Sequence, residues 1–425
     1  MGRGPAARQW ALAGAFILAL AGGSLAAETG ATTNTAEADR LVEQISHKVS
    51  ELRGLPLKKP VQHAMMSRVQ LEAYVKKAMA EKLPGDYVEQ SEFVFKTIGA
   101  IPQKTNLRQI TLALLAEQVA GLYDEETGKL YVVEDFDLQT PAAKMILAHE
   151  ICHALQDQYF DIGSMPMAVL DNDDLAMATG STMEGDATWL MMEYLRSELQ
   201  GLDLMAMASM MSVGQETFNA APAFLRKGYM FPYMTGMEFM TAVSRELERD
   251  TPFHRPPTST EQIMHPEKYT GPLRDEPTSV TVLKSDFSPG EGWKLAHKNV
   301  MGEMQTALLF EVWRMAEEGA KAAAGWGGDQ YAMFRKGSKS FAFYWRTEWD
   351  TERDAAEFSE ALSVLFRDKV FRTSFNGEDW ATSETTRQWV GAGESDDDVR
   401  LRIARKKYEV FVQITNDNEA WLTQP

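Results

Sequence analysis

The chain has 425 residues, 44% hydrophobic and 24% charged, enough apolar side chains for ordinary globular cores and a length that predicts two or three domains. Its formal charge of −18 makes phosphate backbones and anionic lipid surfaces poor partners, so no nucleic acid ligand is expected. A single cysteine excludes an intrachain disulfide, which leaves packed cores or a bound metal as the sources of stability.

The chain opens on a leader-like segment. Residues 1–27 combine Arg3 and Arg8, an apolar run from Trp10 to Ala21 and small residues ahead of an acidic start. That layout predicts a secretory signal peptide cleaved after Ala26 or Ala27, hence an exported protein, periplasmic or secreted. The run is shorter than the ~20 apolar residues of a spanning helix, so no stable membrane insertion is expected after cleavage. Losing the two arginines takes the formal charge from −18 to about −20. Residues 28–110 read as an N-terminal helical region: Leu41, Ile45 and Val49 recur at i, i+4, i+8, and a second helical stretch runs from Val69 to Met79. A removable prosegment is the competing reading, without a positive signal for it.

Residues 111–280 are expected to form the central domain. "VAGLYDEETGKLYVVED" predicts a β-hairpin, Val119 to Tyr123 and Leu130 to Val133, around a turn from Asp124 to Gly128. Thr140 and Pro141 then supply an N-cap and a first-turn proline for a helix through "AAKMILAHEICHALQDQYF". After the polar break "DIGSMPMAVLDNDD", a second long helix is predicted from Leu175 to Leu199. Methionines crowd the chain from Met165 to Met240. Copper binding by thioethers wants a histidine nearby and none lies between His153 and His254, so core packing or an adaptable apolar groove is preferred. The clusters Asp171/Asp173/Asp174 and Asp396/Asp397/Asp398 lack the spacing of a calcium loop and read as solvated caps and turns. The proline- and threonine-rich stretch 250–280 breaks the helical period and closes the domain. Residues 281–425 are predicted as a smaller α/β domain: a helix from Met304 to Met315, a turn "GWGGDQ", a strand "SFAFYWRTEW", a helix "TERDAAEFSEALSVLF", and strands near Arg387 to Val390 and Val399 to Ile414. The fold class is therefore α+β.

The chemistry concentrates in "AHEICHA", residues 148–154, which holds two of the seven histidines and the only cysteine. On a helix His149 and His153 lie one turn apart and about 40° around the axis, so both imidazoles can reach one zinc ion at ~2.0–2.1 Å. Glu150, about 100° around from His149, sits beside such an ion, placed to take a proton from water and later deliver it to a leaving amine. A chance His-Glu-x-x-His in a chain with this few histidines is expected in on the order of one sequence in a hundred. A catalytic zinc also needs a third protein ligand and an open position. Tyr159 stands where a third histidine would mark one large branch of such sites, and Glu184 in "STMEGDATWLMMEY" is the next helical carboxylate. Gly185 beside it would let that helix approach the metal helix closely. Asp186 and Thr188 are equal candidates for supporting the ligands, and Asp157 is too far along the helix to ligate easily. Cys152 reads as a small core residue, since a thiolate there would close the site.

"EQVAGLYDEETGKLYVV", "LAHEICHALQDQ", "EGDA", "PPTSTEQIMHPEKY" and "GWGGDQY...WRTEWD" together resemble exported bacterial proteins among the gluzincin, or thermolysin-like, zinc metallopeptidases. The likeness runs from about residue 110 onward, and its chemical content rests on the His-Glu-x-x-His and Glu-Gly-Asp-Ala pieces. It implies a zincin-like domain, Zn²⁺ held by His149, His153 and Glu184, water activated by Glu150, and a peptide or protein substrate lying along an edge strand within Val119 to Val133. The spacing of 31 positions from His153 to Glu184 exceeds the short connection of such enzymes. An oxyanion donor is also required, for which His265, Tyr269 and Tyr233 are candidates. The alternative is a non-catalytic metal-binding or scaffold protein derived from such an enzyme, against which retention of Glu150 argues.

Overall fold

The computed structural model describes residues 35–82, 85–117, 121–134, 137–167, 169–198, 216–283, 288–371, 386–392, 398–417 and 419–421. The expected leader, the run "LMAMASMM", Asp396 and Asp397 lie outside them. The fold is α+β. Among the described residues no helix is long and apolar enough to cross a membrane.

Helix α1 (Thr35–Arg53) buries Ala38, Leu41, Val42, Ile45 and Val49 along one stripe, as its i, i+3/i+4 spacing requires. Strand β1 (Gln62–Met66) follows, where the sequence pattern reads as helix. Its five residues have no β-branched side chain, and they are extended because they pair in parallel with β3 (Lys129–Val133), from Gln62 opposite Lys129 to Met66 opposite Val133. Helices α2 (Arg68–Lys82), α3 (Tyr87–Thr97) and α4 (Leu107–Glu117) precede β2 (Gly121–Asp124), which forms the expected hairpin with β3. The sheet order is β1-β3-β2, so β2 lies at an edge and runs antiparallel to its one neighbour.

Helix α5 (Pro141–Phe160) starts as predicted: Thr140 Oγ1 accepts from Ala143 N–H at 3.2 Å, with Pro141 in the first turn. Its apolar residues Leu147, Ile151 and Leu155 join Tyr123, Leu130 and Val132 of the sheet and the buried stripe of α1 in one core. Helix α6 (Asp173–Glu198) is capped by Asn172 Oδ1, which accepts from Leu175 N–H at 2.9 Å. Its first-turn Asp174 is 2% exposed rather than a solvated cap. Helices α7 (Glu216–Ala220) and α8 (Ala223–Val243) follow, and α8 contains Pro232, which hides it from a periodicity reading. The stretch 250–280 holds three short helices, α9 (Thr251–His254), α10 (Thr260–Met264) and α11 (Pro266–Thr270).

A second, six-stranded sheet follows, built from β4 (Lys294–Asn299), β5 (Trp326–Lys336), β6 (Ser340–Trp349), β7 (Thr386–Ala392), β8 (Asp398–Lys406) and β9 (Glu409–Thr415) in the order β4-β5-β6-β9-β8-β7. Helices α12 (Gly302–Glu311), α13 (Ala316–Ala323) and α14 (Glu352–Val364) accompany it. "GWGGDQ" is not a turn as expected: only Gly325, at φ +77°, turns, and Trp326 already opens β5 with an irregular register as far as Gly328. Phe358 and Leu362 of α14 pack on Trp345, Val412 and Ile403 in a core that continues into Val88, Met183 and Phe239 of the preceding helices. The sheet and the helices before residue 281 thus share apolar contacts.

Candidate metal centre

Helix α5 presents His149 and His153 to the interior with their Nε2 atoms 3.0 Å apart. Glu184 comes from α6, its Oε2 3.1 Å from His149 Nε2 and 3.4 Å from His153 Nε2. Three donors around a tetrahedral ion at zinc–nitrogen distance are separated by about 3.3 Å, so this triangle has the dimensions of a metal site. The centre is buried: His149, Glu150, Glu184 and His153 are 0, 0, 1 and 5% exposed. Glu184 Oε1 and Glu150 Oε1 are buried without a hydrogen-bond partner among the described residues, an arrangement that costs free energy unless something binds there. Ligand atoms of His149, Glu150 and His153 also fall within 4.8 Å of one another. Of the two carboxylates, Glu184 is the one in contact with both imidazoles. Glu150 turns Oε2 to the N–H of Tyr123 on β2, at 2.7 Å. The cluster could hold a metal ion.

Burial dominates the electrostatics. It pushes the Glu150 carboxyl up to about 8, against the opposing pull of His153 and the Tyr123 N–H. It also moves His149 down despite its contact with Glu184. His153 goes the other way, up to about 9, because Glu184 and Glu150 together outweigh its desolvation. Glu184 is held down at about 2: burial alone would raise it, but His153 and His149 overcome that.

Behind the imidazoles lies a polar chain of which the sequence reading named Asp186 but missed Gln156, Arg53 and Arg249. His153 Nδ1 is 2.9 Å from Gln156 Oε1, and Gln156 Nε2 donates to Asp186 Oδ2 at 2.9 Å. Arg53 Nε and Arg249 Nε donate to the two oxygens of Asp186 at 2.9 and 2.7 Å. Burial would raise Asp186, but Arg53 and Arg249 hold it below its ordinary range. The signal available in sequence was Gln156, one helical turn beyond Cys152 and three residues after His153. Cys152 belongs to the same rear side: it is fully buried, with Sγ 3.9 Å from Asp186 Oδ2, and it does not face the triangle. Thr188 Oγ1 is buried without a partner among the described residues, and Asp157 accepts from Tyr123 Oη at 2.8 Å.

Gly185 does not serve the approach of α6 to α5. It meets Gly236 on α8: a Cβ on Gly185 would lie inside the Gly236 backbone, and one on Gly236 would stand 3.2 Å from Gly185 Cα and overlap the carbonyl oxygen of Ser181. This backbone-to-backbone crossing sets Tyr233, three residues before Gly236, beside His149, with ring centroids 6.3 Å apart. His265 is not brought to the centre. Its Nε2 is 3.0 Å from Glu303 Oε1, in a cluster joined to Asp174 through Thr260. Asp174 is about 15 Å along α6 from Glu184 at 1.5 Å per residue. Tyr269 is also elsewhere, its hydroxyl donating to Arg255 O at 2.7 Å. A cavity of about 240 Å³ between α3, α4, α6, α8 and α12, with Phe95, Phe224 and Leu308 in its wall, includes none of the four central residues.

Residues 293–421, which contain the six-stranded sheet, match a family described as Domain of unknown function (DUF8575). No curated protein and no solved structure matches the chain.

Proposed function

We propose that this protein is a zinc-dependent hydrolase that cleaves peptide bonds, built as a zincin-like domain of gluzincin type. The observation that carries the reading is the buried triangle of His149 Nε2, His153 Nε2 and Glu184 Oε2, with sides of 3.0, 3.1 and 3.4 Å and Glu150 beside it. Two imidazoles and one carboxylate are a donor set suited to zinc, and they leave a fourth position open. When bound there, zinc supplies Lewis acidity, which makes water more acidic and a carbonyl more electrophilic. Glu150, whose buried Oε1 has no hydrogen-bond partner among the described residues, would take the proton of the attacking water and pass it to the leaving amine. Tyr233, whose ring centroid lies 6.3 Å from that of His149, would be the donor to the oxyanion. The edge strand β2, whose amide at Tyr123 already meets Glu150, lays out an extended peptide by strand addition. The N-terminal 27 residues direct export of the chain.

One observation favours a second reading. All four central residues are at most 5% exposed, so substrate entry requires the centre to open, and a metal-binding scaffold would not need that. Metal analysis with a peptide-library digest of the wild type and of Glu150→Gln separates them. The expected result is one zinc in both proteins and cleavage by the wild type alone. Equal cleavage by both refutes the role of Glu150, and zinc without cleavage in either supports the scaffold.

A further inference from the structure

We propose that Gln156 and Asp186 are positioning residues that hold His153 in its ligating form, and that Arg53 makes helix α1 a permanent part of the centre; this rests on reading the centre as a metal site. The Gln156 amide has only one sensible orientation. On one side it faces Asp186 Oδ2 at 2.9 Å and Met183 O at 3.1 Å, both acceptors, so the NH₂ must lie there. Its Oε1 is then turned to His153 Nδ1 at 2.9 Å. An acceptor in that place requires Nδ1 to carry hydrogen, so Nε2, which faces His149 and Glu184, is the nitrogen left to ligate.

Asp186 is the anchor of this chain and is fully buried, so its charge has to be met inside the protein. Arg53, at the end of α1, and Arg249, after α8, each take one of its oxygens, and Arg249 Nη2 also reaches its backbone carbonyl at 3.3 Å. Both guanidiniums are themselves held: Arg53 by Asp250 at 2.6 Å, and Arg249 by Glu193 at 3.2 Å and by the ring of Trp189, 3.8 Å from its centroid. Asp186 is therefore committed away from the triangle and cannot swing in as a ligand. The interposed amide transmits orientation without setting a second negative charge against the imidazole, whose charge partners remain Glu184 and Glu150. A purely structural ion pair between Asp186 and the arginines would have no need of the glutamine.

The test is a zinc competition titration against a chromophoric chelator, using the mature protein stripped of metal. Gln156→Leu is expected to bind zinc about 10–100-fold more weakly, with circular dichroism of the metal-free protein showing that it still folds. In zinc-loaded protein the His153 Nδ1–H signal should exchange slowly in the wild type and fast in this variant. Gln156→Glu restores an acceptor for Nδ1 but turns an oxygen toward Asp186, so it should stay weak. Arg53→Met keeps the apolar stem and should lower affinity too; if it does not fold, the Gln156 variants decide. Gln156→Leu within twofold of wild-type affinity, or full recovery in Gln156→Glu, overturns the relay. A wild type that takes up no zinc overturns the reading of the centre itself.

Discussion

At the centre, burial moves His149 down, desolvation pushes Glu150 up and, against its own burial, Glu184 is held low by the two imidazoles. Tyr233 lies beside His149, whereas His265 is engaged with Glu303 in the cluster joined to Asp174, about 15 Å along α6 from Glu184. The pair gives a sharp contrast in peptide-hydrolysis kinetics. Tyr233→Phe should lower kcat about 10²-fold with zinc content unchanged, as expected for loss of one oxyanion donor. His265→Gln should leave kcat near wild type. A wild-type rate in Tyr233→Phe would remove that residue from the mechanism. The histidine pair was legible because i, i+4 spacing on a helix converts directly into two nitrogens close to one point. The sequence reading preferred His265 to Tyr233, yet only Tyr233 lies near His149, because which downstream residue returns to a site depends on how helices cross.

At the scale of elements, the crossing of α6 and α8 is the step that assembles the site. Gly185 and Gly236 bring two backbones into contact, so Gly185→Ala should cost about 1–3 kcal/mol or more by urea unfolding and also weaken zinc binding, because Glu184 is the adjacent residue. An unchanged midpoint would mean the crossing can relax. The N-terminus of α6 carries a different load. Burial raises Asp174 to about 7, opposed by hydrogen bonds from Thr260 and reinforced by Asp329 and Glu303. The folded protein therefore holds a proton that the unfolded chain, with its ordinary value of 3.8, has released. Between about pH 4 and 7 this group makes stability fall as pH rises. Asp174→Asn should flatten that slope in denaturant titrations at pH 5 and 7.5, and an unaltered slope would place the proton uptake elsewhere. The helix α5, its cap and the hairpin before it were readable because caps, turns and periodicity are local. Strand β1 and helix α8 were not: one is extended only through its pairing with β3, the other is interrupted by Pro232 and built from methionine-rich residues.

At the scale of the molecule, α1 ties the N-terminal region to the centre. Its five buried aliphatic residues pack on α5 and α6, and each of the larger ones is worth about 1.5–3 kcal/mol, against a typical total stability of about 5–15 kcal/mol. Arg53 adds a cation that the buried Asp186 requires. A chain lacking residues 28–58 should therefore fail to fold cooperatively by circular dichroism and thermal melting. A stable, zinc-binding truncated chain would instead support a removable prosegment. The sequence by itself determined the helix that carries His149, Glu150 and His153, the hairpin leading into it and the α+β class, because these follow from spacing, caps and composition within a few dozen residues. Only the tertiary structure decided that Glu184 lies within reach of both imidazoles, that Gly185 serves α8 rather than α5, and that Asp186 supports His153 through Gln156 with arginines from positions 53 and 249. Those relations are set by helix crossings and by the need to neutralise a buried charge, and neither leaves a period in the sequence.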